Sequence, residues 1–168
     1  MAGALIVTAE MGGEDQAWLD RIRRAHFPPE RNQLAAHLTL FHALPPSAER
    51  ELRARLAEAA QAPRPKALVT GLMNLGGGVA YRIVSADLDS IRDDLSAAFA
   101  GMLSAQDAGG WRPHVTVQNK VSEKQARDLL TALEAGFTTR PLAISGLGLQ
   151  RYLGGPWERL ASFPFRGR

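Results

Sequence analysis

Short apolar or alternating runs rich in β-branched residues predict strands at Ala4 to Thr8, Ala36 to Phe41, Lys66 to Leu75, Val79 to Ser85, Pro113 to Asn119, Pro141 to Arg151 and Trp157 to Phe163. Between them, helical spacing groups Trp18, Leu19 and Ile22, then Leu52, Leu56 and Ala59, then Leu88, Ile91, Leu95, Phe99 and Met102, then Ala126, Leu129, Leu130 and Leu133. Turn residues punctuate the chain. Gly12-Gly13 precedes the first helix and Pro28-Pro29 ends it, while Pro45-Pro46 closes the second strand. Ser47 is the expected N-cap of a helix running to about Gln61, ended by Pro63 and Pro65. Gly76-Gly77-Gly78 joins a hairpin, Gly101 weakens the end of the third helix, and Ser122 to Gln125 spells a capping box for a helix with Gly136 as its C-cap. The last two strands are joined through Gly154-Gly155-Pro156.

Strands and helices alternate irregularly, with adjacent strand pairs, so the fold expected is α+β with mixed or antiparallel sheets flanked by helices. One coarse repeat stands out: a strand, a loop and a helix with an apolar inner face occur at Ala36 to Gln61 and again at Pro113 to Gly136. Two copies predict a duplicated, pseudo-symmetric domain spanning residues 1–168, a length that suits a single core. Apolar residues make up 45% and charged residues 22%, near the averages of soluble globular proteins, so neither a disordered nor a membrane class is suggested. The start of the chain lacks a basic n-region and a long apolar h-region, so a soluble, untargeted protein is expected, cytoplasmic in location; a monomer is expected as well. Cysteine is absent, which removes thiolate metal sites and a cysteine nucleophile. The net charge of +3 and a pI near 9.8 favour anionic ligands without marking a polybasic tract.

The repeated strands carry His37-Leu38-Thr39-Leu40 and His114-Val115-Thr116-Val117. Side chains alternate along a strand, so each presents an imidazole and a hydroxyl on one face and anchors them with an apolar layer on the other. With four histidines and seven threonines in the chain, two such coincidences arise by chance with a probability of roughly 1%. Two imidazoles, with unperturbed pKa values of about 6.5, suit a reaction that removes a proton on one side and delivers one on the other. The hydroxyls can donate hydrogen bonds to phosphoryl oxygens. A phosphodiester held this way needs no metal and no cofactor.

These paired motifs resemble those of the two-histidine phosphoesterase superfamily, which includes bacterial 2'-5' RNA ligase-like proteins and cyclic nucleotide phosphodiesterases. The order of helices and strands is similar across most of the chain. The resemblance implies two lobes related by a pseudo-twofold axis, with one motif from each facing a central groove. It also implies a 2',3'-cyclic phosphate, or a related 2'-5' or cyclic diester, at an RNA end or on a small nucleotide, hydrolysed or, in reverse, ligated. His37, Thr39, His114 and Thr116 are the catalytic residues it implies. His114 is assigned as general base and His37 as general acid, although the residues themselves do not distinguish the two orders. Lys120 is a candidate phosphate contact, and Trp111, Arg112, Arg151 and Tyr152 are candidates for base stacking or phosphate contact.

A different class competes: a groove that binds RNA ends or nucleotides without turnover, for which matched titratable groups would serve no purpose. Zinc is disfavoured, because no H-x-x-E-H or H-E-x-x-H spacing is present. The glycine run at Gly76 lacks the lysine and helix of a phosphate-binding loop and reads as a turn. His42, five residues after His37, falls on the opposite face of a continuous strand, and His26 near a helix end; both read as structural or exposed.

Overall fold

The computed structural model describes residues 3–168. Its strands are β1 (Leu5–Met11), β2 (Leu38–Leu44), β3 (Leu68–Asn74), β4 (Val79–Val84), β5 (His114–Gln118), β6 (Arg140–Pro141), β7 (Ile144–Tyr152) and β8 (Trp157–Pro164). Its helices are α1 (Gly13–His26), α2 (Glu49–Ala59), α3 (Ala86–Ala98), α4 (Ala105–Ala108) and α5 (Glu123–Glu134). All eight strands form one sheet in the order β6-β3-β4-β5-β2-β1-β7-β8. Every neighbouring pair is antiparallel. The fold is α+β, as the patterning predicts, with the antiparallel strands joined in one continuous sheet flanked by helices.

The duplication is visible in the connections. In β1-α1-β2 the two strands lie side by side, and β4-α3-α4-β5 repeats the arrangement. Each unit then crosses through a helix, α2 or α5, to a strand that pairs with the first strand of the other unit: β3 with β4, β7 with β1. The halves meet where β2 pairs with β5, with Leu38 opposite Val115. Leu38, Leu40, Val115 and Val117 are fully buried and join one core with Leu19, Leu52, Leu88 and Leu95 of the helices. That apolar layer fixes which face of each motif strand is left open.

Local departures from expectation have simple causes. Ser47 is not the cap of α2: Pro46 to Ala48 form a 3₁₀ turn, and α2 begins at Glu49 behind Ala48. The third helix stops at Ala98 because Gly101 takes a left-handed φ of 86°, which leaves Met102 outside it and exposed. Ser122 and Gln125 make the predicted capping box of α5, whose C-cap is Ala135, with Gly136 following it. No helix among the described residues is long and apolar enough to cross a membrane.

Gly78 turns the β3–β4 hairpin against the end of β5, where a Cβ would fall inside the backbone of Gln118 and Asn119. Backbone cannot swing aside as a side chain can. Gly78→Ala is therefore expected to cost about 3 kcal/mol, at the upper end of overpacking penalties, in denaturant unfolding.

Candidate functional site

The pairing of Leu38 with Val115 determines what faces the open side of the sheet. In that antiparallel register His37 lies across from Thr116 and Thr39 across from His114, each pair about 5 Å apart at the backbone. Each lobe thus contributes an imidazole that stands next to the other lobe's hydroxyl. All four side chains line one groove of about 330 Å³.

Both imidazoles are held in the same way. Nδ1 of His37 donates to the carbonyl of Ala35 at 2.8 Å, and Nδ1 of His114 to the carbonyl of Arg112 at 2.7 Å. A carbonyl can only accept, so the proton sits on Nδ1 and leaves Nε2 as the free nitrogen of each ring. The residue two positions earlier fixes the tautomer in both motifs.

The surroundings of the two rings differ. His37 packs against Trp157, at the start of β8, with ring centroids 4.6 Å apart. Although part of its surface stays open to the groove, it is ringed closely enough that its pKa is held down to about 4. Desolvation is the main cause; the bond to Ala35 opposes it, while the positive charges of Arg23, His42 and His114 add to it. His37 is therefore neutral near pH 7, with an electron pair free on Nε2.

Two buried arginines fasten the motif strands crosswise. Arg23 of α1, stacked 4.2 Å over Phe27, donates to Asn32 and, at 2.8 Å, to the carbonyl of Thr116 on β5. Arg92 of α3, stacked 4.4 Å over Phe41, donates to the carbonyl of Leu40 on β2 at 3.1 Å and to that of Asp107 at 2.7 Å. Each helix thus holds the strand of the other unit, so the two halves of the site are locked in one register.

His42 overturns its expected placement. Along β1 and β2 the partners run Thr8 to Thr39, Val7 to Phe41 and Leu5 to Leu44, so β2 gains an extra residue at each step. A bulge of this kind puts Leu40 and Phe41 both into the core and returns the next side chain to the groove. His42 consequently lines the same groove as His37 and Thr39. Its Nδ1 lies 3.1 Å from Asp107, a carboxylate only 1% exposed that also accepts the amides of His42 and Ala43. Burial alone would raise Asp107, but these bonds outweigh it and hold the carboxyl below its usual range.

Of the further residues singled out in the sequence, Trp111 and Arg112 line the groove. Trp111 uses its indole N–H on the carbonyl of Thr39 at 2.9 Å, so it positions the motif strand as well as walling the groove. The structure does not bring Lys120, Arg151 or Tyr152 to the groove lining. Lys120 occupies the turn after β5 with a φ of 63°, and its amide is taken by Asn119. Arg151 is drawn to Glu49 at 2.6 Å and to Glu158 at 3.7 Å, at the C-terminal end of β7, where Tyr152 pairs with Trp157. Trp157, Arg23, Arg92 and Asp107 carry no local sequence signal that marks them. Among the described residues, no group of three or more His, Asp or Glu side chains is gathered to hold a metal ion.

The model of the 2'-5' RNA ligase superfamily matches residues 13–156, a span that includes both motifs and every residue lining the groove between them except Trp157. The chain belongs to the 2'-5' RNA ligase superfamily. Solved structures of similar fold include TT0787 of Thermus thermophilus, at 16% identity and a TM-score of 0.65, covering 98% of this chain and 99% of that one. Escherichia coli LigT complexed with 3'-AMP gives 19% identity and a TM-score of 0.61, again covering 98% and 99%. LigT complexed with NADP+ gives 18% identity and 0.62, covering 99% of both chains. No curated protein matches the sequence significantly. These likenesses show the fold, which extends over nearly the whole chain at identities of 16% to 19%.

Proposed function

We propose that this superfamily member is a cyclic phosphodiesterase, acting without a metal on 2',3'-cyclic phosphates or related 2'-5' diesters of RNA ends or small nucleotides. The observation that carries this reading is the crosswise pairing of two imidazoles and two hydroxyls on one open face, with Nε2 free on both rings. The scissile phosphorus lies between the histidines, and Thr39 and Thr116 donate to its non-bridging oxygens. A neutral His37 takes the proton of the attacking water, and a protonated His114 gives its Nε2 proton to the departing ribose oxygen. One P–O bond forms and one breaks, leaving a phosphomonoester.

This order reverses the one assigned from the sequence. A histidine held near a pKa of 4 reaches the substrate without a proton and suits the base, not the acid. Ligation is the same path run backwards with a ribose hydroxyl in place of water. That LigT is seen with 3'-AMP, NADP+ and ATP supports nucleotides as the ligand class. We place the protein in the cytoplasm, working as a monomer.

The test is the pH dependence of hydrolysis of nucleoside 2',3'-cyclic monophosphates in EDTA. The acid limb of kcat/KM should fall near pH 4, because activity is lost as His37 gains a proton. Trp157→Ala, which lets water reach the ring, should move that limb up towards the ordinary imidazole value of about 6.5. An acid limb that stays in place in this variant would return the base to His114. Absence of turnover on both these nucleotides and short RNAs with cyclic ends would contradict the phosphodiesterase reading.

A further inference from the structure

The mechanism above uses two of the three imidazoles in the groove and leaves His42 without a task. Its placement is costly to build: it takes a bulged β2, a carboxylate only 1% exposed on α4, and Arg92 bound to the carbonyl of that same residue. Asp107 takes the Nδ1 side of the ring, and the side chain of His42 is 40% exposed, so Nε2 is the nitrogen left to meet a ligand. Two residues, Leu40 and Phe41, separate His42 from Thr39, so along the strand it stands up to roughly 10 Å beyond the hydroxyl that faces the diester.

The charges around it set the ligand's sign. Asp107 from α4, Arg92 from α3, Arg112 ahead of β5, and His37 and His114 stand around this groove. Asp107 is the one carboxylate among the described residues lining it, and its oxygens are already taken by the backbone and by His42. What remains open at this end is the Nε2 edge of His42 and the exposed Arg112 guanidinium. Both are donors suited to phosphate oxygens.

From this we infer that His42, held by Asp107 and assisted by Arg112, is a second phosphate site, which selects nucleotides bearing another phosphate one unit away from the diester between His37 and His114. The inference rests on the nucleotide reading proposed above and narrows its substrate class. The second phosphate comes either from a small bisphosphate or from the next linkage of an RNA strand. His42 meets that phosphate through its Nε2 edge while its carboxylate partner keeps the ring turned toward the groove.

Equilibrium binding of 3'-AMP, adenosine 3',5'-bisphosphate and an adenosine dinucleotide with a 3'-phosphate tests this without relying on turnover. Wild type is expected to bind at least one of the two doubly phosphorylated ligands about tenfold more tightly than 3'-AMP, as one added charge-assisted contact gives. Preference for the bisphosphate identifies a terminal phosphate, and preference confined to the dinucleotide an internucleotide one. In His42→Gln, which keeps a polar side chain of similar reach but cannot carry charge, the ratio should collapse towards one. Equal binding of all three ligands by wild type, or a preference that survives His42→Gln, would overturn the second site and leave the phosphodiesterase reading standing. Failure of all three to bind would overturn both.

Discussion

His37→Ala and His114→Ala are each expected to lower kcat for a 2',3'-cyclic phosphate by about 10² to 10⁴, the contribution of a single positioned acid or base. The double variant should be little worse than either single one. Proton removal and proton delivery serve one transition state, so deleting either leaves the other without most of its effect. Both rings line an open groove and sit outside the core, so unfolding midpoints should confirm that the lost activity is not lost structure. Steady-state kinetics of the four proteins at one pH provides the comparison.

Arg92→Ala is expected to cost about 3 to 5 kcal/mol of stability, the range for stripping one partner from a buried charged network. The guanidinium is buried and donates to Leu40, Ser96 and Asp107 while covering Phe41. Its removal strands the buried carbonyls of Leu40 and Asp107 and takes away a positive charge that interacts with the Asp107 carboxylate. Arg92→Met, which restores packing but no donors, should recover only part of the loss. Denaturant unfolding with unchanged m-values measures both. Since Arg92 also holds β2 by the carbonyl after Thr39, the activity of the folded fraction should fall as well.

The pH dependence of stability follows from His37. Its pKa is lower in the folded protein than in the unfolded chain, so the unfolded state binds the proton more readily. Stability is therefore full above about pH 6.5 and declines as pH falls towards 4.

The strands and helices were readable because each has one buried face, and a period of two or of 3.6 follows directly from that. The H-x-T pairs were readable for the same reason: Leu38 and Val115 had to be inside, so His37 and His114 had to be outside. What the chain does not spell out locally is register. His42 sits in the groove because β2 bulges against β1, an effect of a partner strand distant in sequence. Trp157 meets His37 through the β7–β8 hairpin, and Arg23 and Arg92 look like ordinary helix-surface charges until the opposite lobe supplies their carbonyl acceptors. Arg151 was singled out for a guanidinium that could meet a base or a phosphate, but acidic partners on α2 and β8 claim it. Long-range pairing, which no local window contains, separates the groove residues from those that only resemble them.

The most direct test of the two-histidine reading is the fate of a 2',3'-cyclic nucleotide incubated with the protein in EDTA and oxygen-18 water. The expected result is conversion to a phosphomonoester carrying a single solvent-derived oxygen on phosphorus, abolished in the His37→Ala, His114→Ala double variant. Intact cyclic nucleotide after incubation with wild type, or equal conversion by the double variant, would contradict it.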